Sequence, residues 1–440
     1  MGIRNLLLVL TLPICTGASF AQKKSPLGPD HVKSAVFSLT KVMMHDVVSP
    51  TIASRYYLYG TLGATSILAS GGGSVHPSAY VPHFPKTVGS SGPSADASLS
   101  SLFCIYETGM MMLPSGADIA PEYERVRGEC MRSGYSKKQV EDARAKASVV
   151  SKEVLAYASK DGYSKLSSFT RYRSKRRDGF WFPTPPAYMD AVDPHWSKMR
   201  TMVMDSARQF RPGSPVPFDT TKGGAFMSLV REVAETGTNL TTEQREIAGF
   251  WDCNPFVVAT SGHMMLGFKK ISPGGHWMNI ACIAAKQRKI SLEQTIQVVS
   301  LTALTLYDAF ISCWAAKYDT DRVRPETAIN KYLDVRWQPL LQTPPFPEYT
   351  SGHSVISAAT AETLSFLMGD TLNYVDDTEV IFELAPRRFT SFRQAAAEAG
   401  ISRLYGGIHF RDAIEQGQRQ GVMVGRHIVG AVSRAGVKPF

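Results

Sequence analysis

Residues 291–317 read SLEQTIQVVSLTALTLYDAFISCWAAK, a stretch with neither proline nor glycine and dense in apolar side chains. Both absent residues break helices, so the spacing predicts one long buried helix. Working outward, Val32 to Ser70 places Val42, Val47, Ile52, Tyr56, Tyr57 and Leu62 at helical spacing, which predicts one or two helices. Helical periodicity recurs over Leu102–Leu113, Pro121–Lys160, Gly223–Glu235 and Thr241–Trp251. Two further helices are expected from Gly352 to about Met368 and from His409 to about Ala435. Strand signals are nearly absent, and the chain reads as all-α.

Between these segments, Gly71–Ser100 is rich in Gly, Ser and Pro and predicts a long surface loop. The cluster Arg171, Arg173, Lys175, Arg176 and Arg177, followed by Trp181-Phe-Pro-Thr-Pro-Pro186, predicts a solvated loop with a polyproline turn.

Composition agrees with a globular protein. The 440 residues are 44% hydrophobic and 20% charged with 35 Gly and 26 Pro, which excludes disordered, collagen-like and coiled-coil architectures. The net charge of +10 suits anionic ligands but is spread along the chain, so nucleic acid is not indicated as a partner. The N-terminus runs from Arg4 through an apolar stretch, Leu6 to Ile14, to the small residues before Gln22, which predicts an export signal cleaved after Ala21 and a secreted or periplasmic protein. No later apolar run approaches the roughly 20 residues of a membrane span, so a soluble mature protein is expected. Cys15 leaves with the signal. Cys104, Cys130, Cys253, Cys282 and Cys313 remain, with no CxxC or CxxCH pair, so thiol redox centres and c-type haem are not expected, and Cys282 and Cys313 read as small buried hydrophobes.

The chemistry concentrates in the last third. Lys317 precedes Arg324-Pro325 by seven residues, near two helical turns, so both cations share a side if the helix continues that far. Thr350-Ser351-Gly352-His353 puts a hydroxyl, an unhindered backbone N–H and an imidazole at a helix start, where oxyanions bind readily. Ser402-Arg403 precedes His409, and Asp412, three residues further, is placed to orient the His409 ring. Three fixed cations, donors at Ser351 and Gly352, and two histidines form a site for a tetrahedral or trigonal-bipyramidal oxyanion. One imidazole can bond to the central atom while the other moves protons, and no haem is needed. A second Thr-Ser-Gly-His string, Thr260–His263, lacks this context, and His263 reads as structural.

This order resembles the superfamily of vanadium-dependent haloperoxidases and type 2 phosphatidic acid phosphatases, whose pattern is K-x6-RP, PSGH and SR-x5-H. The likeness covers about Ser291–Val429, and Phe250-Trp251-Asp252 and Pro273-Gly-Gly-His276-Trp277 extend it toward soluble secreted haloperoxidase-like proteins. It implies a helical bundle at 246–440 with an additional helical layer at 22–245. It also implies that Lys317, Arg324 and Arg403 hold the oxyanion, that Ser351 and Gly352 donate to it, that His353 is the acid/base, and that His409 bonds to vanadium or attacks phosphorus. Trp314 and Phe346 fall where haloperoxidases have pocket residues. Thr350 departs from the proline of the pattern, and Asp412 lies one residue nearer the histidine than the phosphatase aspartate does.

Three functions follow from the resemblance. A haloperoxidase would use vanadate as a Lewis acid for hydrogen peroxide and oxidise iodide or bromide to hypohalous acid. A soluble exported acid phosphatase would need no cofactor, attacking a phosphate ester through a phosphohistidine at His409 with His353 serving the leaving group. A non-catalytic secreted anion binder would keep only the pocket. The aromatic pair and the large soluble N-terminal half favour the first.

Overall fold

The computed structural model describes residues 27–261, 264–267 and 269–440. The expected leader and His263 lie outside these residues. Thirteen α-helices are described: α1 (Pro29–His45), α2 (Pro50–Ser70), α3 (Ala97–Met112), α4 (Ala120–Arg132), α5 (Lys137–Ala158), α6 (Ala225–Thr238), α7 (Thr242–Phe250), α8 (Pro273–Arg288), α9 (Leu292–Thr320), α10 (Pro325–Tyr332), α11 (Gly352–Met368), α12 (Phe392–Tyr405) and α13 (Arg411–Arg434). Two short antiparallel hairpins accompany them, β1 (Val258–Ser261) with β2 (Met264–Gly267), and β3 (Tyr374–Asp376) with β4 (Arg387–Phe389). The all-α expectation holds, and the hairpins are too short to carry a period-two signal.

The 291–317 stretch forms α9. Its N-terminus is a capping box in which the Ser291 hydroxyl accepts from Gln294 N–H and the Gln294 side chain accepts from Ser291 N–H. It ends at Thr320 because Asp321 turns left-handed, φ 52°. Every residue from Thr295 to Lys317 is buried, enclosed by α2, α8, α11 and α13. The polar members are satisfied inside: Thr302 and Thr305 donate back to carbonyls four residues earlier, and the buried Asp308 carboxylate accepts from the N–H groups of Met202, Val203 and Met204 at 2.8–3.1 Å. These interspersed hydroxyls also explain one correction. Among the described residues α9 is long and apolar enough to cross a membrane, yet its apolar window is wholly inside the protein.

Packing of α11 on α13 sets the depth of the site. Gly417, Gly421 and Gly425 recur every four residues on α13, and a Cβ at Gly421 would collide with the Val355 carbonyl of α11. Without side chains there, the two backbones meet directly. One continuous cluster of buried apolar side chains then runs from Leu27 to Val437 through both halves of the chain.

Two loop expectations change. The 71–100 segment is not purely superficial, since Tyr80, Val81, Phe84 and Val88 are buried and Gly89, at φ +91°, lies against the Ser66 carbonyl. The basic 171–186 segment is clamped to the end of α9: Trp181 is buried, its N–H donates to the Asp321 carbonyl at 2.8 Å, and Val323 N–H donates to the Gly179 carbonyl at 3.0 Å. All five described cysteines are buried and unpaired.

Candidate active site

Five chain segments converge at the N-terminus of α11. Ser351 caps that helix, its hydroxyl accepting from Ser354 N–H at 3.4 Å. Gly352 and His353 open the first turn, where backbone N–H groups have no intrahelical acceptor. Lys317 comes from the last turn of α9. Arg324 is the residue before α10, not a continuation of α9, so the shared helical face expected for Lys317 and Arg324 does not exist; the turn at Asp321 brings them together instead. Arg403 ends α12, and His409 sits in the link to α13.

His409 is held from both nitrogens. Its Nδ1–H donates to Glu348 Oε1 at 2.9 Å, and Arg324 Nη1–H donates to Nε2 at 3.2 Å. A carboxylate only accepts and a guanidinium only donates, which fixes the proton on Nδ1 and the lone pair on Nε2. Phe410 N–H donates to the same Glu348 oxygen at 3.0 Å. Burial, then the charges of Arg324, Lys317 and Arg403, hold the His409 pKa well below its ordinary value. His353 is likewise kept neutral by burial and by Arg403. The Trp251 backbone pulls the His353 pKa the other way without outweighing them, and its Nε2 is buried without a partner.

The cations are fixed by carbonyls. Lys317 Nζ donates to those of Pro347, Glu348 and Thr350 at 2.6–3.2 Å, and burial pushes its pKa down to about 7. Arg324 donates to the Phe346 and Ile408 carbonyls at 2.9 Å, leaving its Nη2 buried and unpartnered. Arg403 donates to Ser402 Oγ at 3.0 Å and to the Trp251 carbonyl at 2.7 Å.

Gly352, His353, Arg403 and His409 line a cavity of about 40 Å³ whose other walls include Trp314, Phe346, Phe310 and Phe256. That is room for a small polyatomic ion. Trp314 and Phe346 pack at 5.0 Å between ring centroids, and Lys317 and Arg324 both approach the Phe346 ring at 5.0 Å. Lys317, Arg324 and Ser351 stand behind this lining and not in it; the Ser351 oxygen accepts in the cap and its O–H is left to donate. A much larger cavity, about 1050 Å³, opens between the 171–191 segment and α10 and contains none of these residues.

Asp412 is a correction. It does not reach His409, because Phe410 caps α13 and His409 precedes the helix, so the two share no helical face. Asp412 instead accepts from Arg322 at 2.8 Å and from Val216 N–H at 3.0 Å. The orienting carboxylate is Glu348, which the sequence reading missed along with Arg322, whose Nη1 bridges Glu348 and Asp412. A lone acidic residue in the proline-rich turn PPFPEYT was the available signal. Three buried cations, Lys317, Arg322 and Arg324, thus face the fully buried Glu348 carboxylate, while Arg403 lines the cavity with Asp252 near it. Buried positive charge with an orphaned donor at Arg324 Nη2 calls for an anion, and the unpartnered His353 Nε2 suits a protonated oxygen of a vanadate-like oxyanion.

The fold is similar to that of known proteins. The family model described as the VCPO second helical-bundle domain matches residues 330–436. A bacterial vanadium-dependent iodoperoxidase structure superposes with TM-score 0.84 at 35% identity, covering 92% of this chain and 96% of that one. A holo-type bacterial vanadium-dependent chloroperoxidase superposes with TM-score 0.62 at 16% identity over 93% of this chain and 94% of that one, which speaks for the fold alone. No curated protein matches. With the iodoperoxidase likeness spanning nearly both whole chains, this protein belongs to the vanadium-dependent haloperoxidase family.

Proposed function

We propose that this vanadate-dependent haloperoxidase oxidises iodide in preference to chloride, using hydrogen peroxide, in a site where Lys317, Arg324, Ser351, Gly352, Arg403 and His409 hold vanadate. The observation that carries this is the pair of orphaned buried atoms, Arg324 Nη2 and His353 Nε2, in a buried site with surplus positive charge. Vanadate, when bound, supplies a Lewis-acidic centre for peroxide. Lys317 gives charge from a fixed position, because its three N–H bonds are already taken by carbonyls. Arg324 and Arg403 give directed donors, and the Gly352 N–H adds a helix-terminal donor. Glu348 keeps the His409 proton on Nδ1, so Nε2 carries the lone pair, which Arg324 Nη1 engages here and which would bond vanadium once that donor serves the anion instead. His353 Nε2 is the atom that takes and returns the proton of the oxidant.

Iodide is favoured by the apolar walls at Trp314, Phe346, Phe310 and Phe256, because the larger halide loses less hydration on entering and is the easier to oxidise. The bacterial iodoperoxidase likeness supports the same choice. We further propose that the chain is exported through residues 1–21, whose basic, apolar and small order fits a cleaved leader. N-terminal sequencing of the mature protein beginning at Gln22 is the expected result.

The deciding experiment splits anion-free protein into one sample reconstituted with orthovanadate and one left bare. Vanadate-dependent triiodide formation from iodide and peroxide is expected, with far slower turnover of chloride and little hydrolysis of p-nitrophenyl phosphate. Ester hydrolysis blocked by vanadate, without halide oxidation, would make the protein a phosphatase. Vanadate binding without either turnover would leave an anion binder.

A further inference from the structure

Behind the anion cavity, reached from it through Cys253 and packed against Trp251, lies a second buried polar cluster that the halide chemistry does not use. The Trp251 ring stacks on His276 at 4.6 Å between centroids and 18° between planes, while the Trp251 carbonyl holds Arg403. His276 lies in the first turn of α8, Cys253 just beyond α7, and Asp376 and Glu379 at and after the end of β3. All four are buried.

Proton accounting makes the cluster unusual. Asp376 accepts from His276 Nε2 at 2.7 Å, and Asp376 is itself fixed by the N–H and hydroxyl of Thr378 at 3.0 and 2.6 Å. The ring proton therefore sits on Nε2, and the lone pair of a neutral ring sits on Nδ1. That nitrogen faces Glu379 Oε1 at 3.0 Å and Cys253 Sγ at 3.3 Å, and the sulfur and oxygen are 3.8 Å apart. When protonated the cluster can satisfy itself, Cys253 donating toward Glu379 and His276 lying between Asp376 and Glu379; when deprotonated its three ligand atoms converge on one point. The three distances define a triangle whose centre is roughly 2 Å from every corner, close to the length of a zinc–ligand bond. Tetrahedral zinc with these donors would space them roughly 3.3–3.6 Å apart.

We propose that Cys253, His276 and Glu379 bind one divalent cation of the zinc class, with a fourth position for water. The mixed sulfur, nitrogen and oxygen donor set suits zinc better than magnesium or calcium, which take oxygen ligands. Asp376 is the outer partner that fixes the imidazole tautomer and sharpens its basicity, as carboxylates commonly do behind metal-bound histidines. The ion ties the segment after α7 to α8 and to the turn after β3. It thereby braces Trp251, whose carbonyl positions Arg403, and Cys253, which itself lines the anion cavity.

The test uses the full chain purified without a metal-affinity tag. Elemental analysis and titration with Zn²⁺ are expected to give about one zinc per chain, distinct from any vanadium. Substitution with Co²⁺ is expected to give thiolate-to-cobalt charge-transfer absorption that disappears in Cys253→Ser. Asp376→Asn, which keeps every ligand, is expected to weaken zinc binding roughly 10–100-fold. Folded wild-type protein that takes up no zinc, and whose melting temperature ignores a chelator, would overturn the proposal and leave a protonated His276 bridging its neighbours. A cobalt spectrum unchanged in Cys253→Ser would also overturn it. Because wild-type protein alone can give the first negative, misfolding of a variant does not protect the idea.

Discussion

His353 is partly open to the cavity and His276 is fully buried against Trp251, and their surroundings are opposite in sign. Burial and Arg403 keep His353 neutral. At His276 burial also opposes charge, but Asp376 and Cys253 outweigh it and hold the pKa well above the ordinary value. Burial by itself therefore decides nothing about a histidine here; the sign of what is buried with it does. One histidine stands in a receptor for an anion and the other in a receptor for a cation.

The largest effect should come from removing the anion-side lone pair. His409→Ala is expected to lower vanadate-dependent iodide oxidation on the order of 10³-fold while the melting temperature stays near that of the parent, measured on vanadate-saturated protein. Activity that survives would place the metal ligand elsewhere. Next comes the one carboxylate among the cations. Glu348→Gln preserves shape but removes the charge that fixes His409 and faces Arg322 and Arg324, so vanadate affinity should fall roughly 10–100-fold by equilibrium titration. If affinity rises instead, because one negative charge has left the site, the positioning role of Glu348 is wrong and its repulsion of the anion dominates.

A purely steric perturbation should be milder. Gly421→Ala forces α13 away from α11 and is expected to cost about 1–3 kcal/mol in denaturant unfolding, with kcat for iodide falling as the α11 N-terminus shifts. Unaltered stability would mean that the helices separate freely and that the glycine stripe does not set their spacing.

The smallest effect is a pH dependence. Burial depresses the Lys317 pKa to about 7 in the empty protein, against 10.5 ordinarily. Between these values the unfolded chain binds more protons, so the empty protein gains stability as pH rises across that window. A bound anion restores the Lys317 charge and flattens the gradient. Vanadate should therefore raise the melting temperature most at and below about pH 7 and less above it. Lys317→Arg should lose this lysine-dependent part, which separates it from the titration of vanadate itself.

The sequence made the long helices and the anion-binding strings legible for local reasons. The Gly352–Met368 helix matched its expected limits because Ser351 caps it and nothing inside breaks it, and α9 was visible through the absence of breakers. What stayed hidden depends on chain reversals. Extending helical faces from Lys317 to Arg324 and from His409 to Asp412 ignored the left-handed Asp321 and the cap at Phe410. Glu348 and Arg322 reach the site from loops, where no period links a residue to its partner. The His276 cluster joins residues more than a hundred positions apart, and only the Pro273–Trp277 likeness hinted that His276 mattered.

The uninterrupted α9 has a mechanical consequence. At about 1.5 Å per residue, its 29 residues form a rod of about 43 Å, with Asp308 gripping the 202–204 segment near the middle and Lys317 near the end. A rod without a hinge cannot bend to admit a larger ion, and rotating it would strip three hydrogen bonds from Asp308. The receptor behaves as a vice with one immovable jaw, so adaptation to different halides must come from the opposing loops around residues 343–351 and 406–410.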